Sequence, residues 1–192
     1  MCSKDKCVQD AMAQEGIRQM LIALGQDPER AGILDTPKRV LKAYKEMTEG
    51  YTHNPEEILG RRFDAEGYDG LVIVRGIRFT SLCEHHLLPF IGEASVAYLP
   101  GEEVVGLSKL PRLVECFARR LQLQEKMTQE IAEALETHLK AKAVGVQVRA
   151  QHQCMACRGV RQQDADMVTT TVLGLMRSDQ GLKQEFIDSL EK

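Results

Sequence analysis

The stretch Cys83-Glu84-His85-His86 constrains this chain more than any other. It offers a thiol and an imidazole at Cys-x-x-His spacing, with a second imidazole between them. A matching set lies far downstream, in His152-Gln153-Cys154-Met155-Ala156-Cys157-Arg158. Zinc takes four soft or borderline donors in a tetrahedron, drawn largely from Cys sulfur and His nitrogen. Two distant segments must therefore meet in the fold. The spacing admits two arrangements. Cys83, His86, Cys154 and Cys157 can close a Cys3His structural site, or Cys83, His86 and Cys154 can ligate with the fourth position open to water. His85 and His152 favour the open form. A structural zinc has no need of extra imidazoles, whereas a catalytic one can use them as proton shuttles. Either His can also orient a ligand.

The remaining pattern says how those segments are carried. Residues 8–24 read as an amphipathic helix, with Val8, Met12, Ile17, Met20, Leu21 and Leu24 near one stripe and Gly25 as its stop. Thr36-Pro37 opens a second helix, a hydroxyl cap with Pro at the first position. Val40, Leu41, Tyr44 and Met47 form its buried stripe, while Arg39 and Lys42 share another face. Asn54 to Leu59 adds a turn. Gly60, Gly67 and Gly70 with mixed charges make residues 60–70 a loop. That loop divides an N-terminal helical region, 1–66, from a second domain, 67–192. Leu71–Phe79 and Ile91–Leu99 read as strands, a hairpin whose connection carries the Cys83 motif. Ser108 caps a helix with Pro111 in its first turn and Leu110, Leu113, Val114 and Phe117 inward. A polar connection, 121–125, leads to a helix over about 127–141 striped by Met127, Ile131, Leu135 and Leu139. Val144, Val146, Val148 and Ala150 alternate with Gly145, Gln147, Arg149 and Gln151, the cleanest strand in the chain. Continued, it places His152 and Cys154 on the Val face. Residues 168–175 make a fourth strand and Gln184–Leu190 a closing helix. Strand-strand-helix-helix-strand-strand predicts an α+β fold, a four-stranded antiparallel sheet with a helix pair on one face.

A formal net charge of -3, no Trp and few aromatics argue against a nucleic-acid binder. Basic residues nevertheless gather locally. Ser108-Lys109-x-x-Arg112 sits at a helix start and Arg158 follows the Cys pair. With Arg39 and Lys42 these could hold a polyphosphate. No apolar run approaches the roughly 18 residues of a membrane span. The polar start, Met1 to Cys7, shows no signal peptide. A cytoplasmic, reducing setting follows, in which clustered Cys read as ligands or thiols. Cys2, Cys7 and Cys116 read as ordinary cysteines.

Taken together, Cys83-Glu84-His85-His86, Gly106-Leu107-Ser108-Lys109-Leu110-x-Arg112, Gln124-Glu125 and His152-x-Cys154-x-x-x-Arg158-Gly159 resemble GTP cyclohydrolase I. The resemblance runs from about Thr36 to the C-terminus, in order and spacing. It implies a T-fold and a homodecamer of two pentamers with active sites at subunit interfaces. It implies hydrolytic opening of the guanine imidazole ring of GTP, release of formate and rearrangement to 7,8-dihydroneopterin triphosphate. Carried over by motif, Cys83, His86 and Cys154 hold Zn2+, and Cys157 falls where the family has no ligand. His152 is then the general acid on the imidazole ring and His85 a supporting proton-transfer residue. Glu125, with the backbone near Gln124, reads guanine. Ser108, Lys109, Arg112, Arg158, Arg39 and Lys42 bind the rest of the substrate, chiefly its triphosphate. Residues 161–166 are more polar and acidic than the family pattern. Two alternatives stand beside this reading: a related purine-opening T-fold enzyme with a different product, and a non-catalytic module with the closed Cys3His zinc.

Overall fold

The structure, a computed structural model, describes residues 4–190, so Cys2 lies outside it. The chain forms two compact units, the first ending at Thr48 and the second beginning at Glu49.

The first unit is a helix pair, α1 (Lys4–Ala23) packed on α2 (Thr36–Met47). Gly25, at φ +76, ends α1. Its N–H bonds to Ile22 O and that of Gln26 to Leu21 O, the Schellman closure that favours glycine at this point. The inward face of α1 differs from the expected stripe. Ile17 and Leu21 are half-buried, but Val8, Met12, Met20 and Leu24 are exposed, Met12 at 70%. At about 100° per residue, Val8 lies opposite Ile17, so one face cannot hold both. In α2, Val40, Leu41, Tyr44 and Met47 are half-buried and none is buried. A helix pair alone has no third layer to seal the stripe. Asp35 rather than Thr36 holds the N-cap position, without a side-chain cap bond; Asp35 instead pairs with Arg39 at 3.2 Å.

The second unit starts with a 3-10 turn, Glu49–Thr52, then α3 (Pro55–Ile58), capped by Asn54 Oδ1 accepting from Glu56 N. Both pack on helices of the second unit, so residues 49–66 belong with it and not with the N-terminal helices. The chain continues through β1 (Arg62–Asp64), β2 (Val72–Cys83), β3 (Pro89–Leu99), β4 (Glu103–Val105), α4 (Lys109–Ala118), β5 (Leu121–Gln122) and α5 (Gln124–Leu139). It ends with β6 (Ala143–His152), α6 (Gln153–Ala156), β7 (Met167–Gly174) and α7 (Gln180–Leu190). The fold is α+β, as expected. The main sheet runs β5-β2-β3-β6-β7. Its four long strands are antiparallel; β5 adds two residues parallel to β2, a fifth strand the sequence did not foretell. Part of the 60–70 loop is also strand, because β1 pairs with β4. Three residues are too few to show a period.

One sheet face carries Phe79, Phe90, Val96, Val144, Val146 and Val148 into a core with Leu113 of α4 and Ile131 and Leu135 of α5. At one end of the other face, Phe186 and Met176 meet Ala97, Leu99 and Ala143. A Cβ at Gly145 would stand 2.8 Å from Phe186 Cδ1 and from Met176 Sδ, so glycine here lets α7 lie close on β6. The arrangement that matters for the site is at the opposite end. Both β2 and β6 flank β3 and run antiparallel to it. Leu82 pairs with Pro89, and Phe90 with His152. The C-terminal ends of β2 and β6 therefore emerge together where β3 begins.

Candidate active site

Cys83 is the last residue of β2, and five residues, Glu84 to Leu88, return the chain into β3. The turn is tight. Leu87 N and His86 N both bond to Cys83 O, at 2.8 and 3.3 Å, and Cys83 N bonds to Leu88 O at 2.9 Å. Leu87 takes φ +54, a left-handed conformation that costs a non-glycine residue on the order of 1 kcal/mol and recurs at functional turns. This geometry folds His86 back, so that its Nδ1 stands 3.7 Å from Cys83 Sγ. From the other side β6 passes directly into α6, which places Cys154 in the helix. The donor atoms of Cys83, His86 and Cys154 lie within 4.8 Å of one another. A tetrahedral zinc, with bonds of about 2.3 Å to sulfur and 2.0 Å to nitrogen, holds its ligand atoms roughly 3.5–3.8 Å apart. Two thiols and an imidazole so placed fit that ion. Burial, then the Cys83 thiol, pushes the Cys154 thiol above its ordinary pKa, with Arg158 pulling the other way; a coordinated cation reverses that balance. Cys157 is not in this group. It is exposed, and its Sγ donates to Gln153 O at 2.9 Å.

His152 is held on two sides. Its ring stacks on Phe90 at 4.7 Å and 3° between planes. Its Nε2 lies 2.9 Å from Gln124 Oε1. Burial holds His152 below the ordinary histidine pKa, and the Glu125 carboxylate acts in the opposite sense. Gln124 and Glu125 are not in a connecting loop: α5 begins at Gln124, three residues earlier than the periodicity indicates. Glu125 is exposed in the first turn while Gln124 is buried. His85 is exposed, its ring 6.2 Å from that of His86 and nearly perpendicular to it.

The basic residues divide. Arg158 is exposed and close enough to Cys154 to influence its titration. Lys109 and Arg112 line a cleft of about 390 Å³ with Thr52, His53, Asn54, Glu57, Ile58 and Glu115, and no member of the Cys-His group lines it. Ser108 stands at the N-cap of α4 but makes no side-chain cap bond, contrary to its expected capping role, which leaves its hydroxyl exposed. Arg39 and Lys42 are exposed on α2 in the first unit. In the acidic segment 161–166, Asp166 pairs with Arg149. Residues that sequence reasoning passed over are Phe90, which fixes the His152 ring, and Thr128 and Thr169, which bond to each other behind Gln124. The strand register could have found Phe90, paired with His152, and Thr169 on β7; Thr128, on α5, gives no such signal.

The family model for GTP cyclohydrolase I matches residues 13–191. GTP cyclohydrolase 1 of Brucella anthropi is 52% identical over 168 residues, 87% of this chain and 79% of that protein. GTP cyclohydrolase 1 of Pelagibacter ubique is 47% identical over 188 residues, 97% of this chain and 93% of that one. Among solved structures, an archaeosine synthase QueF-like protein in the apo form aligns with a TM-score of 0.47 and 19% identity, over 56% of this chain and 96% of its own.

Proposed function

The chain belongs to the GTP cyclohydrolase I family and carries that family's activity on GTP; we propose that it does so with one zinc ion held by Cys83, His86 and Cys154. The observation that carries this reading is the convergence of those three donors at one end of the sheet, with Cys157 turned onto a backbone carbonyl. That placement supports the open site over the closed Cys3His one. Bound there, zinc supplies Lewis acidity and makes water a nucleophile near neutral pH.

The chain's own residues do the rest. His152 gives a proton to the imidazole ring of guanine as C8 is attacked, and His85 supports proton transfer. His85 is next to His86 in sequence and in space, and His152 comes two residues before Cys154. The Glu125 carboxylate accepts from the N1–H and exocyclic amino group of guanine, a donor pair adenine does not present. Glu125 is exposed and within electrostatic reach of His152, as a base reader must be. Ser108, Lys109, Arg112 and Arg158, with Arg39 and Lys42, clamp the triphosphate. Lys109 and Arg112 line a cleft that the Cys-His group does not enter, which supports active sites assembled between subunits of a homodecamer. No helix among the described residues is long and apolar enough to cross a membrane, and the unpaired thiols of the site suit the cytoplasm.

The test is incubation of zinc-loaded protein with GTP, reading formate and the fluorescence of the oxidised product. Formate with a fluorescent pterin is the expected result. Formate without pterin would favour a ring-opening relative, and no formate from protein holding one zinc per chain would favour the closed site.

A further inference from the structure

Gln124 is buried, 1% exposed, and both polar atoms of its side chain have protein partners. Its Nε2 faces Val148 O and Met167 O, each at 3.0 Å, and Thr169 Oγ1 at 3.1 Å. Two of those three are carbonyls, which accept and cannot donate. The amide can therefore lie only one way, with its NH2 toward β6 and β7 and its Oε1 toward His152. Oε1 is an acceptor, and it stands 2.9 Å from His152 Nε2. A neutral imidazole carries one N–H, and the partner of one nitrogen decides where that proton sits. Thr128 bonds both the Gln124 carbonyl and Thr169 Oγ1, each at 2.7 Å, which fixes the start of α5 against β7. The Phe90 ring fixes the plane of the imidazole.

We propose that the Gln124 side chain is a positioning residue for His152 and makes no contact with the base: it keeps the resting imidazole as the Nε2–H tautomer, so that Nδ1 is the nitrogen that takes up a second proton from solvent and, as it passes that proton to the substrate, returns to the neutral Nε2–H form. Both polar atoms of the amide have protein partners, in backbone carbonyls, Thr169 and His152, and the side chain is buried, so neither is presented to a purine. Guanine contacts near Gln124 then fall to the backbone and to Glu125. This inference rests on the GTP reading above for His152's role, though the tautomer itself does not.

The experiment compares zinc-loaded wild type with Gln124→Leu and Gln124→Glu in steady-state formate release from GTP. Gln124→Leu removes the acceptor, and the expected result is zinc at one per chain, an unchanged KM and a kcat lowered roughly 10- to 100-fold, the scale known for losing the partner that orients a metal-bound imidazole. In Gln124→Glu a protonated carboxyl can still donate to one carbonyl and accept from Nε2–H, so part of the kcat returns. A raised KM with unchanged kcat would make Gln124 a substrate contact and overturn the proposal, as would unchanged kinetics in Gln124→Leu. Should Gln124→Leu lose zinc or fold, the wild type decides. In histidine-selective 15N NMR, with His152 assigned by its absence from His152→Asn, the expected signature is a protonated Nε2 and a bare Nδ1. The opposite tautomer overturns the proposal. Absence of formate from the wild type would sink the GTP reading and leave the tautomer result standing.

Discussion

Cys154 and Cys157 share one short segment yet meet different surroundings, and that contrast sets the predictions made of single residues. Cys154 sits within the donor triangle, whereas Cys157 spends its S–H on Gln153 O. A Cys157→Ser hydroxyl can make the same bond, so zinc content and formate release should match wild type. A fall below one zinc per chain, read by atomic absorption, would restore Cys157 as a fourth ligand. His152 lies on the other side of the chemistry. His152→Ala keeps all three metal donors, so zinc should stay bound while kcat falls roughly 10²- to 10⁴-fold, the range a positioned proton donor supplies. Unchanged turnover would remove His152 from the mechanism. The convergence of Cys83, His86 and Cys154 was legible in the sequence because Cys and His combine rarely at ligand spacing. The network behind them was not. Gln124, Thr128 and Thr169 are common polar residues on two elements, and only their convergence gives them meaning.

Among the elements, legibility followed burial. Val144, Val146 and Val148 pack under the helix pair, and their alternation announced β6 plainly. The strands β1 and β4 are stabilised by pairing with each other, so neither showed locally. The stripe read along α1 failed for a related reason: apolar residues scattered round a helix mimic a stripe when the face that packs is narrow. The start of α5 was misplaced because Leu123, its N-cap, gives no side-chain bond and so no signal. Its end carries a separate cost. Lys140 closes α5 at φ 53 and ψ 38, the left-handed conformation that glycine adopts freely. Its side chain is exposed and has little packing to lose. Lys140→Gly should therefore stabilise the protein by roughly 0.5–1 kcal/mol after glycine's greater freedom in the unfolded chain is counted. Thermal denaturation at fixed protein concentration checks it; a lower midpoint would mean that Lys140 holds its place for another reason.

At the scale of the whole molecule, the antiparallel sheet and its helix pair were legible because β2, β3 and β6 each carry a buried face and only five residues turn β2 into β3. Assembly was not legible from periodicity. The proposed assembly rests on the separation of two groups in one chain, Cys83, His86 and Cys154 at one end of the sheet and Lys109 and Arg112 in another cleft. If one subunit's clamp serves its neighbour's metal group, two crippled chains can repair each other. Arg112→Ala has an intact His152, and His152→Ala has an intact Arg112. In a closed ring of mixed subunits, a site that takes its clamp from one chain and its imidazole from the next is whole in about a quarter of cases at equal mixing. Each variant alone should be nearly inactive. Dissociated together and reassembled, the mixture should regain close to that fraction of wild-type formate release, in an assembly ten times the mass of the chain by light scattering. No recovery in mixed assemblies that hold full zinc would mean that both residues serve the same site from one subunit, and that the cleft beside α3 and α4 does something other than hold the triphosphate of a neighbour's GTP.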